Sequence, residues 1–517
     1  MDSGYAGQSI GSPRFTVVGL ALQAVMLKRL AGVPTHRLWQ TMIGLSILKP
    51  FGLYEKGEDF EPTSTFSHDA ETRDRDIRRP NPHLADYPVH LVAAGADRIR
   101  RPFWICNSSM FVNEPGAEGQ DLVPVHATPF FTGIVGRPDA VDANGLRVGG
   151  GAVATFAFSS RPLGVEKGSV RARQRRPFSL SDAVGLSSVA FASGLEQKLD
   201  EWRRDHTALV DAMMNHSDNL TGWAEDHFEG EVPKALEKLL HRPTLVKFLE
   251  KSGLGAKLDA ELVKAINEIN DFIPEQHYWP VRSAELQRSA RSEEEARPTR
   301  FADGGNLENT GIANLLTYLD VERIIAFVNS PTSMKSVDVG IIAAGSVEEV
   351  PDTRILVDNQ VSVLFGYRGH RDGKGYVLYA DSELDTLPAE EKPFRAVQVF
   401  APEAFPETLR GLWAASHGLR RPAVFAQDLV TVENSVFGVR AGRRVQVLWC
   451  YLDRVDDWLD LLTDDVRGLL TEKGYESFPS FPTNQGLNPT QINLMAHLTS
   501  WCVADPSNRE PFLAMYR

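Results

Sequence analysis

The clearest pattern of polar and apolar positions lies in residues 301–316, FADGGNLENTGIANLL. A polar stretch with two glycines begins at Asp303, and apolar residues at helical spacing follow it: Ile312, Leu315, Leu316 and Leu319. Apolar positions three and four residues apart form one face of a helix. The apolar run at 324–328 is typical of a buried strand. The pattern predicts a tight loop, a helix and a buried strand in succession.

Similar patterns predict helices and strands in the rest of the chain. Residues 13–30 and 178–192 have the apolar spacing of helices, and a serine near the start of the second can cap it. Strand candidates lie at residues 101–111, 126–133, 149–160 and 445–452. The chain is therefore expected to mix both kinds of element.

Residues 194–285 differ in character from their surroundings. Three helix candidates rich in Glu, Lys and Leu lie there, at 195–228, 232–251 and 257–272. Because they fall between segments of the expected core, we interpret 194–285 as a helical cap inserted into one domain that spans residues 1–517. An ordinary insertion packed on the outside of the domain fits the pattern equally well.

Composition and charge narrow the classes of function. Of the 517 residues, 42% are hydrophobic and 24% are charged, as in an ordinary globular protein. The net charge of −13 argues against nucleic acid as a partner, because phosphate binding needs a basic surface. One basic run, RARQRR at 171–176, is either a solvated loop or a contact with anionic lipid headgroups.

The cysteines and apolar runs predict neither a metal site nor a membrane span. Cys106, Cys450 and Cys502 lie far apart, without the spacing of zinc ligands or of a disulfide framework. We expect no metal and no other cofactor. No apolar run reaches the roughly 18–20 residues of a spanning helix, and no secretory signal is visible. A cytoplasmic protein that contacts membranes at most peripherally is expected, with its oligomeric state left open.

The string DGG-x-x-EN-x-G-x-x-x-LL that begins at Asp303 resembles the aspartate loop of the patatin and cytosolic phospholipase superfamily, particularly its bacterial members. The resemblance implies that Asp303 is the carboxylate of a Ser-Asp dyad. It implies that Gly304, Gly305, Glu308 and Asn309 hold the loop and the start of its helix. It also implies an α/β fold, with a mostly parallel central sheet flanked by helices and a helical cap.

A candidate nucleophile lies near the first residue, where Gly7-Gln8-Ser9-Ile10-Gly11 matches G-x-S-x-G. In a nucleophile elbow the flanking glycines allow a sharp turn, and the following helix stabilises developing negative charge. The residues before Ser9 are similar to the family's approach to its nucleophile. The family's glycine-rich oxyanion loop is expected upstream of the serine and is missing. Either the chain begins too late, another part supplies the loop, or the protein is not an active lipase.

Other serines offer competing positions for the nucleophile. Residues 9–14 also resemble a degraded oxyanion loop, which would make Gly44-Leu45-Ser46 the elbow, although large residues follow Ser46. The glycines at 149–151 have a tempting spacing to Ser187 or Ser188, but they are typical of the start of a strand, and the G-x-S-x-G glycine is missing at these serines. Ser9 remains the preferred nucleophile.

These residues predict a serine acyl hydrolase of the phospholipase A or lysophospholipase type, acting on a lipid or lysolipid ester. Ser9 would attack the acyl carbonyl and Asp303 would accept the serine proton, with no histidine between them. His126 and His497 are interpreted as packed or solvated. Acyl transfer to an acceptor other than water stays open. The alternative is a non-catalytic lipid-binding or interaction protein of the same fold, which the missing oxyanion loop favours.

Overall fold

The computed structural model describes residues 17–57, 59–92, 104–112, 122–136, 149–166, 169–174, 176–205, 264, 266–269, 272–278, 297–336, 341–343, 346–350, 355–369, 376–378, 397–472, 475–481 and 489–517. Its helices are α1 Val17–Ala31, α2 Leu38–Ile43, α3 Ala70–Thr72, α4 Leu180–Ser187, α5 Ala190–Arg204, α6 Ile312–Leu316, α7 Asn359–Ser362, α8 Phe405–Ser416, α9 Asp456–Leu459, α10 Asp464–Leu469, α11 Pro489–Ala504 and α12 Arg509–Ala514. Its strands are β1 Thr65–Ser67, β2 Val89–Leu91, β3 Cys106–Phe111, β4 Leu122–Ala127, β5 Phe131–Ile134, β6 Gly151–Ala154, β7 Ser160–Glu166, β8 Ser169–Gln174, β9 Glu275–Tyr278, β10 Arg297–Asp303, β11 Arg323–Asn329, β12 Lys335–Ser336, β13 Ile341–Ala343, β14 Ser346–Val350, β15 Ile355–Leu356, β16 Tyr367–Gly369, β17 Tyr376–Leu378, β18 Ala423–Val430 and β19 Arg444–Leu452.

The largest sheet has six strands in the order β6-β5-β4-β3-β10-β9, and every neighbouring pair is antiparallel. The prediction of a mostly parallel central sheet is therefore wrong. Between β4 and β5 the Thr128 hydroxyl accepts hydrogen bonds from the N–H groups of Phe130 and Phe131, at 3.2 and 3.0 Å. A parallel pair needs a crossover of about a dozen residues or more, so this tight turn permits only an antiparallel pair.

Parallel pairing is a minor feature of the described part of the chain. There it occurs between β1 and β2, and between β11 and β19 in a three-stranded sheet of the order β11-β19-β18. The other strand of that sheet, β18, runs antiparallel to β19. The fold is thus a mixed α/β structure whose principal sheet is antiparallel.

The buried side chains form two large hydrophobic clusters that follow one another in sequence. The N-terminal core runs from Ala21 to Phe301 and contains residues of α1, α2, α4 and the six-stranded sheet. The C-terminal core runs from Leu307 to Tyr451 and contains residues of α6, α8 and the three-stranded sheet. The segment that begins at Asp303 therefore connects the end of one core to the beginning of the other.

The serine-capped helix and the strand at 324–328 that the sequence predicts are both present, with one correction to the strand. Ser179 caps α4: its hydroxyl accepts from the Asp182 N–H at 3.2 Å, and the Asp182 carboxylate accepts from the Ser179 N–H at 2.9 Å. This is a reciprocal capping box. The strand expected at 324–328 is β11, but Phe327 is 50% exposed while its neighbours Ala326 and Val328 are buried. The expected burial of this strand is wrong, because one of its faces is open at Phe327.

Most of the predicted cap at 194–285 lies outside the described residues. The described part contains the end of α5 and the strand β9, which forms an edge of the six-stranded sheet. The helical cap stays a prediction. In the residues that the structure covers, no helix has the length and apolar character needed to cross a membrane.

Candidate active site

Asp303 is the last residue of β10, and both its backbone and its side chain are hydrogen-bonded. The Ser109 hydroxyl on the neighbouring strand β3 donates a hydrogen bond to the Asp303 carbonyl at 2.9 Å. Asp303 is 8% exposed, and its carboxylate Oδ1 accepts from the Gly305 N–H at 2.7 Å. This local bond is an Asx turn, which orients the carboxylate relative to its own strand. Asp303 is therefore a buried carboxylate with a defined direction.

The two glycines after Asp303 lie in close contacts, with backbone atoms at Gly304 and side-chain atoms at Gly305. A Cβ atom on Gly304 would lie 2.6 Å from the Asn107 carbonyl oxygen of β3. A Cβ atom on Gly305 would lie 2.7 Å from Asn309 Oδ1 and 3.1 Å from Asp303 Oδ1. Both distances to the nearest atom are shorter than a side-chain carbon allows. The structure thus brings together Asp303, Gly304, Gly305 and Asn309, which the sequence analysis assigned to one loop.

Glu308 anchors the helix behind the loop. Its carboxyl group accepts hydrogen bonds from the N–H and hydroxyl of Thr310 and, at 3.1 Å, from the N–H of Ala313 in α6. Gly311 precedes α6 with a φ of +77°, a left-handed conformation that favours glycine. Burial raises the pKa of the Glu308 carboxyl, although these hydrogen bonds act in the opposite direction. Glu308, which the sequence analysis assigned to the support of the loop, thus bonds to residues at the start of α6.

A buried histidine ties the helix of this loop to the central sheet. His126 of β4 lies with its Nε2 2.6 Å from Asn314 Oδ1 and its Nδ1 2.9 Å from the Tyr318 hydroxyl. Burial lowers the pKa of His126 to about 4, so the imidazole is neutral at pH 7. The amide oxygen of Asn314 can only accept, so Nε2–H donates to it and Nδ1 accepts from Tyr318. His126 is packed, as expected, and it positions α6.

Sequence reasoning missed the contribution of Asn107 and the link between His126 and Asn314. Asn107 of β3 lies against both Gly304 and Gly311, and its buried Oδ1 has no hydrogen-bond partner among the described groups. The only local signal at Asn107 is an N-x-S sequon, which does not predict such a contact. His126 and Asn314 are 188 positions apart, so no local pattern joins them.

The preferred nucleophile lies outside the described residues. This applies to Ser9 and to its flanking glycines, Gly7 and Gly11. The Ser9–Asp303 dyad therefore stays a prediction.

Ser46 does not have the geometry of a nucleophile elbow. It lies within the π-helical turn Gly44–Leu48 that continues α2, and it is 8% exposed. Its hydroxyl donates to Gln23 Oε1 of α1 at 3.0 Å. An elbow serine projects from a strained turn between a strand and a helix. This geometry does not favour the alternative assignment to Ser46.

Ser187 and Ser188 are equally unsuited to the role. The Ser188 hydroxyl donates to the Val184 carbonyl at 2.7 Å and accepts from the Trp39 indole N–H at 3.2 Å. Ser187 is the last residue of α4 and hydrogen-bonds to the buried Cys106 thiol. The glycines at 149–151 lead into β6, which lies four strands away from β10 in the order of the sheet. This position does not favour them as donors to an oxyanion beside Asp303.

The remaining sequence-based site predictions concern metals and His497. Within the described ranges, no group of three or more His, Cys, Asp or Glu side chains could hold a metal ion. The exposed His497 accepts a hydrogen bond at its Nδ1 from the Trp458 indole N–H at 3.0 Å.

A buried carboxylate in a hydrogen-bonded turn can act as a general base, and this is the chemistry that the Asp303 loop can support.

No protein-family model, curated protein or solved structure matches this chain. The resemblance to the patatin superfamily therefore rests on the residues around Asp303 and Ser9.

Proposed function

We propose that the protein is a serine acyl hydrolase of the phospholipase A or lysophospholipase type, in which Asp303 is the general base for Ser9. The observation that carries this proposal is the environment of Asp303. The residue is 8% exposed, it ends a strand, and its carboxylate accepts a hydrogen bond from the Gly305 N–H at 2.7 Å. A backbone contact with Asn107 leaves no room for a side chain at Gly304, and the Gly305 N–H is hydrogen-bonded to the carboxylate, so this turn holds Asp303 close to β3. Such positioning is what a general base needs.

The proposed reaction has two halves that use the same carboxylate. Ser9 Oγ attacks the acyl carbonyl of a lipid or lysolipid ester while its proton passes to Asp303. The tetrahedral intermediate collapses, and the departing alcohol takes that proton. Water then attacks the acyl-serine ester as Asp303 accepts a proton from it. Collapse of the second intermediate releases the fatty acid and returns the proton to Ser9.

A fluorophosphonate probe tests the nucleophile, with the labelled residue identified by mass spectrometry. We expect labelling at Ser9, its loss in Ser9→Ala, and its retention in Ser46→Ala. Labelling at another serine, or no labelling of the folded chain, would contradict the assignment. The second outcome would favour the non-catalytic lipid-binding alternative.

A pair of aspartate variants tests the base. Asp303→Asn should lower hydrolysis of a lysophospholipid by about 10²–10⁴-fold, the usual contribution of a general base. The matched control is Asp358→Asn, because Asp358 is also 8% exposed and also accepts from the N–H two residues on, at 2.8 Å. The control should leave kcat unchanged. Equal losses in the two variants would show that Asp303 acts only through the fold.

A further inference from the structure

A second candidate site lies at the opposite end of β10 from Asp303. A cavity of about 460 Å³ is lined there by Pro298 and by several charged and polar side chains. The lining residues that matter here are Arg37, Arg161, Arg176, Glu61, Glu275 and Gln276. Pro298 and Asp303 are five positions apart, which corresponds to roughly 17 Å along the strand at about 3.4 Å per residue. The cavity is therefore separate from the proposed active site.

Three of the residues that line this cavity each carry a buried polar atom without a hydrogen-bond partner among the described groups. These atoms are Arg37 Nη2, Arg161 Nε and Gln276 Oε1. Two of them are donors and one is an acceptor. The Gln276 amide orientation is determined by its other end, where Nε2 donates to Asp182 Oδ1 at 3.2 Å. Buried polar atoms are nearly always satisfied, so three in one cavity indicate a ligand with matching groups.

The charges around the cavity leave one cation unpaired. Both terminal nitrogens of Arg176 donate to the Asp182 carboxylate, at 2.8 and 2.7 Å. Arg37 Nη1 donates to Glu61, and Glu275 pairs with Arg300 at 3.5 Å. Among the described residues no carboxylate pairs with Arg161.

The position of Arg161 in its hairpin adds to this imbalance. Arg161 of β7 lies directly opposite Arg173 of β8. Opposite residues of an antiparallel pair lie on the same face, and like charges there repel. A bound anion would relieve this repulsion.

We propose that this cavity binds a phosphate-bearing small molecule, with the phosphate held by Arg37 and Arg161 and a donor group of the ligand on Gln276 Oε1. Guanidinium groups match the oxygen geometry of phosphate. Monohydrogen phosphate itself carries both the anionic oxygens and the O–H that the three atoms require. The cavity exceeds the size of one phosphate, so it accommodates an organic group beside it, and Glu61 and Glu275 can accept from hydroxyls of that group. A soluble phosphate ester and a lipid headgroup share this chemistry.

The test compares the full chain with Arg161→Gln by calorimetric titration with inorganic phosphate at constant ionic strength. The side chain of Arg161 has no partner in the described structure, so this variant should fold. Its affinity for phosphate should fall at least about tenfold, as when a charge-assisted hydrogen bond is removed. The control Arg420→Gln removes the same charge from an exposed arginine that pairs with Asp457 at 2.8 Å. It should bind like the wild type.

Vesicles distinguish the two sources of the phosphate. The same proteins are sedimented with phosphatidylcholine vesicles that contain or lack phosphatidic acid. Loss of sedimentation in Arg161→Gln, together with loss of phosphate binding, identifies a lipid headgroup. Loss of phosphate binding alone identifies a soluble phosphate compound. The proposal is overturned if wild type and Arg161→Gln bind phosphate equally, or if the wild type binds none. Ser9→Ala should bind phosphate normally, because this site does not depend on the proposed hydrolysis.

Discussion

The two ends of β10 differ in how their charged side chains are hydrogen-bonded. At the Asp303 end, the carboxylates of Asp303 and Glu308 accept hydrogen bonds from the backbone N–H groups of their own loop. At the Pro298 end, Arg37 and Arg161 present buried N–H groups that no described residue accepts. Local hydrogen bonds at the first end hold a side chain in place. The buried N–H groups without acceptors at the second end indicate a bound ligand.

The largest effect is expected at the cavity end, from Asp182→Ala. This change leaves the Arg176 guanidinium buried without its carboxylate, which typically costs about 3–5 kcal/mol in the free energy of unfolding. Although burial by itself raises the pKa of Asp182, Arg176 and Ser179 hold it below the usual range, so the carboxylate is charged in the fold.

Urea unfolding of Asp182→Ala and of a surface control measures this effect. The control, Asp457→Ala, removes an exposed ion pair with Arg420 and should leave the midpoint unchanged. If the two variants unfold at the same urea concentration, the Arg176–Asp182 pair does not support the cavity wall.

The next effect is the pH dependence of the free energy of unfolding that His126 produces near the Asp303 end. Burial lowers the pKa of His126 from 6.5 to about 4, so the unfolded chain takes up a proton before the folded one does. The stability that neutral His126 contributes is complete above about pH 6.5 and is lost as the pH falls towards 4. Between pH 7 and pH 4.5 the loss should be on the order of 2–3 kcal/mol.

Unfolding free energies at the two pH values, measured by denaturant titration, check this expectation. His126→Gln should lower stability at pH 7 but should flatten the pH dependence by that amount. His83→Gln changes an exposed histidine and should keep the wild-type dependence. A wild-type pH dependence in His126→Gln would exclude His126 as its source.

The smallest effect is a change in stability caused by two glycine variants, which test the close packing of the loop. One variant should destabilise the protein and the other should stabilise it. Gly304→Ala places a Cβ 2.6 Å from the Asn107 carbonyl and should destabilise the protein by about 1–3 kcal/mol. Gly468→Ala in α10 meets nothing within 4 Å and should stabilise it by about 0.5–1 kcal/mol. Thermal unfolding of both variants measures the difference. A neutral Gly304→Ala would mean that the loop is not held against β3.

The sequence allowed more to be predicted at one end of β10 than at the other. The loop residues from Asp303 to Asn309 are neighbours in the chain, and their turn and capping bonds span a few positions, so a local pattern identifies them. The cavity residues Arg37, Arg161 and Gln276 come from three distant segments. No spacing along the chain connects them.

The basic run at 171–176 shows the same limit. Its arginines were interpreted together, as a solvated loop or a lipid contact. In the structure Arg171 and Arg173 are exposed on β8, whereas Arg176 forms the ion pair with Asp182. A charge run identifies its members but does not predict which of them the fold will bury.

By itself the sequence determined the elements whose hydrogen bonds are local: the Asp-Gly-Gly turn, the serine-capped helix α4, and the loop that leads into α6. The tertiary structure decided the direction of the strands in the main sheet, the burial of Ser46 and the assembly of the cavity. The physical reason is the range of the interactions. Turns and caps are closed within a few residues, whereas strand pairing and buried charge pairs join segments that meet only after the chain has folded.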